Sequence, residues 1–377
     1  MPFGVYVHFP YCASHCPYCD FAVEVEREIP QARYTRAVLD ELALRGPAFA
    51  GGECRSLYLG GGTPSLWDPD AVATVIADVR RRFALAPSAE VTLEANPESA
   101  DRGRLAAFRD AGVNRFSIGT QSFDPAVLVK LGRRHGPDDA ERAIRTAAEV
   151  VENVAVDLIH GARRSSPEIA RRDAERAAAL PVTHVSAYAL TVDASVLGVE
   201  TPFARLARTA RLPLPPDDDV VLQARAVRRA LGRAGLRRYE ISNYARPGFA
   251  SVHNGLYWSS DSYLGVGAGA YGCLHSAGAA RRWGNRRDAR GWMADVEAGR
   301  APAAEEEVLG QAELGEERLL LALRTRAGLP LEEVAPAKRG EVDALVRARL
   351  AVRAGGRLVL TSRGMDVHSA VVERLME

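Results

Sequence analysis

Along the first half of the chain, short runs rich in β-branched and aromatic residues alternate with longer segments whose apolar positions recur at helical spacing. The short runs are 5–9, 56–59, 90–94, 115–118, 155–159 and 184–190, and the amphipathic segments between them are 34–44, 69–83, 102–111, 138–150 and 167–180. This alternation predicts βα units and a parallel sheet, either doubly wound or curled into a full or partial barrel. Unusual residues fall repeatedly at the carboxyl ends of the strands, from Cys12, Gly60 and Glu94 onward and at Gln121 and Asp157. In parallel sheets and barrels the site forms there. After residue 213 the pattern changes. Prolines and an Asp217-Asp218-Asp219 run start a helix to about residue 234, residues 239–244 alternate apolar and polar, and 264–272 is too glycine-rich for a helix interior. Beyond residue 310 come short helices over 312–324, 331–334 and 341–349, a hairpin of 350–353 and 358–360 around Gly355-Gly356, and a last helix over 364–376. We therefore expect a core at 1–212, an extension at 213–300 and a small winged-helix-like α+β domain at 301–377.

Composition narrows the partners. The 377 residues carry a formal net charge of +1, so no global field recruits nucleic acid or anionic membrane. Lysine occurs only at 130 and 338 against 49 basic residues in all, which makes runs such as Arg80-Arg81-Arg82 an expression of arginine usage and not a site. No run of about 18 apolar residues is present, so no integral membrane segment is expected. Nothing in the first residues has the pattern of a secretory signal. Five cysteines are an odd, sparse set with three packed into eight positions, which argues against a disulfide framework and for a reducing, cytoplasmic setting.

Those three, Cys12, Cys16 and Cys19, stand at C-x3-C-x2-C spacing directly after the first strand. Thiolates suit soft metals and iron–sulfur clusters, and three ligands on a four-iron cube leave one iron open. A structural zinc normally takes four protein ligands, and the nearest further candidate, His15, lies inside the loop itself. The Gly60-Gly61-Gly62 run is either a tight turn or a place where backbone meets a ligand, its amides then bonding a carboxylate or an amine-bearing group.

At this loop the sequence resembles the radical S-adenosylmethionine (SAM) superfamily. With Gly60-Gly61-Gly62-Thr63-Pro64, Glu94-Ala95-Asn96-Pro97, Gly119-Thr120-Gln121 and Asp157-Leu158-Ile159-His160-Gly161 it resembles the oxygen-independent coproporphyrinogen III oxidase-like proteins. The resemblance implies a partial (β/α)6 TIM-like barrel, with a [4Fe-4S] cluster on the three cysteines and SAM on the open iron. It also implies SAM contacts from Tyr6, Tyr18, Gly61, Gly62, Thr63, Glu94, Gln121, Arg133 and Asp157. Taken without it, Tyr6 reads as core, Arg133 as a surface cation and Asp157 as a helix cap.

Within that family, the decarboxylating oxidases carry a further cysteine two residues after the third ligand and a longer segment before the motif. Here Phe21 stands at that position and eleven residues precede Cys12. The Cys16-Pro17-Tyr18-Cys19-Asp20-Phe21 run, Tyr239-Glu240-Ile241-Ser242-Asn243-Tyr244 and the H-N-x-x-Y-W motif from His253 to Trp258 are similar to HemW-type haem chaperones. That branch implies haem as cargo, a haem-acceptor protein, an electron-donor protein for the cluster, and His253 as a haem-binding residue. A hydrogen-bonded structural histidine is the alternative. Tyr271 replaces a histidine usual in the branch, and Gly161-Ala162-Arg163 replaces Gly-Leu-Pro. Two further functions stay open: catalysis on a porphyrin or other substrate through a deoxyadenosyl radical, and a metal-stabilised binding module. Cys54 and Cys273 read as plain buried thiols.

Overall fold

The computed structural model describes residues 1–376, the side chains of Val196 and Leu197 excepted. The chain opens with β1 (Pro2–Phe9), α1 (Gln31–Arg45), β2 (Glu53–Gly61), α2 (Pro69–Phe83), β3 (Glu90–Ala95), α3 (Arg102–Ala111), β4 (Arg115–Gln121), α4 (Pro125–Lys130), α5 (Pro137–Val150), β5 (Asn153–His160), α6 (Pro167–Ala179) and β6 (His184–Ala189). Each strand from β1 to β6 pairs in parallel with the next. Local sequence starts the helices sharply. Asp68, Asp124 and Ser166 accept the first free amides of α2, α4 and α6, and a proline follows each at the first helical position.

Alternation along the strands separates two environments. Val5, Val7, Leu57, Leu59, Val91, Leu93, Phe116, Ile118, Val154 and Val156 are buried in one continuous core with apolar residues of the surrounding helices. The intervening positions, among them Tyr58, Glu94, Ser117, Asp157 and Ser186, line the cavity inside the curled sheet. A polar inner face on parallel strands is the structural mark of a site, since such strands are ordinarily apolar on both faces.

The sheet continues through α7 (Ala194–Leu197), α8 (Pro202–Arg208), α9 (Asp217–Arg233), β7 (Arg237–Arg238), β8 (Asn243–Ala245), α10 (Val252–Trp258), β9 (Ser262–Val266), β10 (Tyr271–Ser276), β11 (Ala279–Asn285), α11 (Ala289–Glu297) and β12 (Ala303–Leu309). Its twelve strands run β12-β11-β10-β9-β1-β2-β3-β4-β5-β6-β8-β7. Strand β9 pairs in parallel with β1 across from β2, while β10, β11 and β12 extend the sheet antiparallel. Thus strand pairing carries the sheet past residue 300, to Leu309. The alternating stretch 239–244 forms a corner and not one strand. Buried Glu240 accepts hydrogen bonds from the Ser242 amide and Asn243 Nδ2 at 2.7 Å each, folding β7 back on β8.

The C-terminal unit comprises α12 (Gln311–Leu323), β13 (Leu329–Pro330), α13 (Arg339–Arg347), β14 (Ala351–Ala354), β15 (Arg357–Leu360), α14 (Ser362–Met365) and α15 (His368–Met376). Its three-stranded sheet, β13-β15-β14, encloses a separate apolar cluster with the helices. The expected last helix divides at residues 366–367. Among the described residues no helix is long and apolar enough to cross a membrane.

Candidate functional site

Beyond β1 the chain leaves the sheet in a loop held at its base by two backbone hydrogen bonds, Cys12 amide to Glu24 carbonyl at 2.9 Å and Glu24 amide to Pro10 carbonyl at 2.7 Å. All three loop cysteines are free, half-buried and on the wall of one cavity of about 640 Å³. That volume lies in the range of small-molecule sites. Burial, the largest effect on each, pushes the Cys12 thiol up and the Cys19 thiol up to about 12; Cys16 raises both further, and Cys12 also raises Cys19. Donors already face the sulfurs: Thr63 Oγ1 is 3.3 Å from Cys12 Sγ and Arg133 Nη1 is 3.7 Å from Cys16 Sγ. Among the described residues no three His, Cys, Asp or Glu side chains converge closely enough for a single metal ion. Three thiols set around a cavity mouth, with hydrogen-bond donors behind them, instead fit a body larger than an ion and bearing charge on sulfur, as an iron–sulfur cube does.

The glycine run is explained by close approach. A Cβ on Gly62 would lie 2.8 Å from the Tyr11 carbonyl oxygen, and Gly61, at φ +109°, leaves no room above the His8 ring. The amides of Gly62 and Thr63 donate to the carbonyls of Phe9 and Tyr11 at 2.8 and 2.9 Å, and Gly61 donates to Glu94 Oε2 at 3.0 Å. These amides are therefore committed within the protein, those of Gly62 and Thr63 holding the end of β2 against the start of the cysteine loop and that of Gly61 engaging Glu94 of β3. Those amides are not free to meet a ligand; Cα, a carbonyl or the Thr63 side chain would face one.

Glu94 also accepts from the Tyr58 hydroxyl at 2.8 Å; burial, with neighbouring Asp157 second, pushes its carboxyl up to about 7. Burial raises Asp157 too, although hydrogen bonds from Ser186 and Ser117 and the charge of Arg115 oppose the shift. Arg133 binds the Gly119 carbonyl at 2.8 Å and the Asn96 side chain, and Asn96 Nδ2 donates to Thr63 Oγ1 at 2.9 Å. Gln121 ends β4 at φ +67°, in the left-handed region, where the pairing of β4 with β5 shifts register. Strain of this kind is tolerated where the surroundings fix the residue, commonly at sites. The cavity thus offers a carbonyl- and carboxylate-bearing wall for an ammonium group and a guanidinium for a carboxylate.

Cys12, Cys16, Tyr18, Cys19, Gly61, Gly62, Thr63, Glu94, Gln121, Arg133 and Asp157 all line this cavity. Tyr6 and His253 do not. The Tyr6 hydroxyl is bonded to Nδ1 of His8 at 3.0 Å, and His8 Nε2 to the Ala22 carbonyl at 2.8 Å, so Tyr6 acts on the loop from beneath. His253 is 1% exposed, with Nδ1 on the Ser56 hydroxyl at 2.8 Å and Nε2 on the Tyr257 hydroxyl at 2.9 Å. Neither nitrogen has a lone pair or proton left for a ligand. His253 thus sits in a hydrogen-bonded structural setting outside the cavity lining. Tyr271 is exposed and donates to Glu305, and Cys54 and Cys273 are buried away from the cavity. Asn96, Arg115, Ser117, Ser186 and Tyr188 belong to the lining but were not expected there. The signal for Ser117 and Ser186 was present in the sequence as polar residues alternating with apolar ones in buried strands.

Residues 6–177 match the model of the Radical SAM superfamily. The Heme chaperone HemW of Mycobacterium tuberculosis (strain ATCC 25618 / H37Rv) is 38% identical over 379 residues, a match covering 100% of this chain and 95% of that protein. The chain belongs to the HemW family. The Escherichia coli (strain K12) HemW is 38% identical over 72% of this chain and 70% of its own length. Radical S-adenosyl methionine domain-containing protein 1, mitochondrial, of Bos taurus is 38% identical over 86% of this chain and 74% of that protein. Among solved structures, coproporphyrinogen III oxidase (HemN) from Escherichia coli superposes with a TM-score of 0.81 at 18% identity, covering 99% of this chain and 90% of that one, which establishes the shared fold. As in the radical SAM family, the cofactors of this HemW-family chain are a [4Fe-4S] cluster and SAM; Cys12, Cys16 and Cys19 on the cavity wall are the residues that would hold the cluster. When bound, the pair supplies a reducible iron and a cleavable sulfonium, while the chain's own residues orient the ligand and exclude water from it.

Proposed function

We propose that this protein is a haem chaperone: it binds haem and passes it to an acceptor protein, with the cluster and SAM supporting the transfer. The observation that carries this reading is the full-length match at 38% identity to a protein named as a heme chaperone. Phe21 supports it. It stands where the oxidases have their further cysteine, and the residue is 52% exposed in the cavity lining, a position for contact and not for ligation. The role requires an electron-donor protein able to reach the cluster loop, whose Ala13 and His15 are exposed. Three unpaired thiols in that loop require a reducing compartment, and the cytoplasm supplies one.

A catalytic role has its own observation. The inner wall keeps Tyr58, Glu94, Ser117, Asp157, Ser186 and Tyr188 around the cavity of about 640 Å³ that the cysteine loop borders. One experiment separates the two. The protein is reconstituted anaerobically with iron and sulfide, reduced, and given SAM and hemin; deoxyadenosine release and haem retention are measured together, followed by transfer to an apo-haemoprotein. Retention and transfer with deoxyadenosine release below one equivalent support the chaperone. Multiple turnovers without haem retention overturn it.

A further inference from the structure

The C-terminal unit keeps an apolar cluster separate from the core around the parallel sheet. Arginines make the ties between them. Asp366, its side chain 8% exposed, takes Arg225, Arg228 and Arg238 at 3.3, 3.0 and 3.2 Å. Arg324, at the end of α12, reaches the fully buried Glu240 at 2.9 Å. Arg318 donates to the Ser259 carbonyl at 3.0 Å, and the Arg326 amide to the Tyr239 carbonyl at 3.0 Å. A cleft of about 210 Å³ stays open in the same seam, between α9 and Met365. Buried ion pairs fix a geometry more than they add net stability, and a polar seam that is incompletely packed lets two units move against each other.

Two of these ties close on α10. The guanidinium of Arg324 lies over the ring of Trp258, the last residue of that helix, 4.2 Å from the centroid, and Arg318 holds the carbonyl that follows it. Trp258 Nε1 and the nearby Ser260 hydroxyl are buried with no hydrogen-bond partner among the described residues, so the two arginines supply the polar contacts at this end of the helix. The other end is reached through the corner at 239–243. Glu240 takes Arg324 on Oε2 and the Ser242 amide and Asn243 Nδ2 on Oε1. In the same corner the Tyr239 hydroxyl accepts the amide of Ser251, the N-cap of α10, at 3.3 Å. From α10 the contacts run into the cofactor cavity: the His253 ring packs on Tyr58, Tyr58 donates to Glu94, and Asn254 lines the cavity itself.

We propose that Arg324 is a positioning residue for the cofactor cavity. By clasping Glu240 and covering Trp258 it bears on both ends of α10, and α10 sets the wall formed by Tyr58, Glu94 and Asn254. Docking of the C-terminal unit and binding of SAM are then coupled, and the coupling is reciprocal: a ligand on that wall tightens the clasp, and release of the clasp loosens the wall. The path is a continuous series of packed side chains, from Arg324 through Trp258, Tyr257, His253 and Tyr58 to Glu94. It serves a carrier and a catalyst alike, so it does not depend on the haem-chaperone reading.

The test uses the full-length, cluster-loaded protein and reads SAM affinity, iron and sulfide content, melting and amide hydrogen exchange in wild type, Arg324→Ala, Arg324→Lys and Arg353→Ala. Arg353 makes an exposed pair with Asp343 inside the C-terminal unit and is the control. Arg324→Ala should keep its iron, bind SAM about fivefold more weakly or worse, and exchange the amides of 252–260 about tenfold faster. Arg324→Lys, which keeps the cation without the planar fork, should fall between it and wild type, and Arg353→Ala should match wild type. SAM should slow exchange at both 252–260 and 320–326 in wild type, and 320–326 should stop responding in Arg324→Ala. Wild-type SAM affinity in Arg324→Ala would overturn the proposal; so would weakened binding that comes with loss of iron or that Arg324→Lys does not improve. Should Arg324→Ala not fold, Arg318→Ala, which removes one bond to the Ser259 carbonyl, should show the same two changes on a smaller scale, and wild-type behaviour there would overturn the proposal equally.

Discussion

Replacing His253 by alanine should destabilise the fold without removing the haem ligand. The ring lies against both Tyr58 and Tyr6, with centroids 5.1 and 6.3 Å away, and packs against Gly4, where an added Cβ would come within 2.9 Å of Nδ1. Burial, reinforced by Arg115, pushes its pKa down to about 3, so the neutral ring serves two hydroxyls at physiological pH. Truncation strands the Ser56 and Tyr257 hydroxyls and opens a ring-sized void. The void is worth about 2–5 kcal/mol and the stranded groups about 1–3 kcal/mol before relaxation, so we expect a loss of about 3–5 kcal/mol. In a chain of this size the melting temperature should fall by roughly 4–6 °C. Gly4→Ala, which crowds the same ring, should also lower it. Hemin affinity of the folded fraction should stay within about twofold of wild type, a difference well under 1 kcal/mol. Calorimetry and Soret titration on the same preparations measure both. Unchanged melting together with a tenfold weaker hemin complex would refute the reasoning and return His253 to the site.

Cys12→Ala, Cys16→Ala and Cys19→Ala should each abolish the cluster, read as iron and sulfide content after anaerobic reconstitution, whereas Cys54→Ala and Cys273→Ala should retain it; a full cluster in any of the first three would contradict the ligand set. SAM should perturb the paramagnetic spectrum of the reduced cluster in wild type, and Gln121→Ala or Arg133→Ala should weaken that response without loss of iron. Glu94, raised to about 7 in the fold against about 4.5 unfolded, favours the folded state fully below pH 4.5 and loses that contribution as pH rises through 7, by about 3 kcal/mol in all. Cluster-free Glu94→Gln should therefore melt higher than wild type at pH 8 and lack that pH dependence, while binding SAM more weakly; equal pH slopes would show that Glu94 ionises freely in the fold.

The parallel core was legible because two signals agree along it. Apolar periodicity gave the six βα units within a few residues, and the cysteine spacing after the first strand marked the carboxyl end of the sheet as the site. The antiparallel extension was not legible for a physical reason. Strand β12 is exposed at Glu305, Glu306, Glu307 and Val308, and its Glu306 and Glu307 pair with Arg281 and Arg282 of β11, so charge pairing across an edge replaces the hydrophobic alternation that announces a strand. The helix at 252–258 was hidden similarly. Only seven residues long, it is capped by Ser251 and by Glu90, 162 residues away, whose oxygens accept the Val252 and His253 amides at 3.0 and 2.9 Å. No local pattern encodes a cap supplied by a distant strand.

Tyr6 and His253 lie outside the cavity lining and are hydrogen-bonded beneath it. A motif fixes which residues travel together, and burial fixes which of them meets the ligand. His253, Tyr58 and Glu94 form one continuous stack from the strands' amino side to the cavity: the His253 ring packs on Tyr58, Tyr58 donates to Glu94, and Glu94 receives the Gly61 amide. Tyr6, beside Tyr58 at 6.0 Å, reaches the cysteine loop through His8 and the Ala22 carbonyl. The H-N-x-x-Y-W motif therefore acts on the cofactor wall from below, as the support that sets Glu94 and the loop in place.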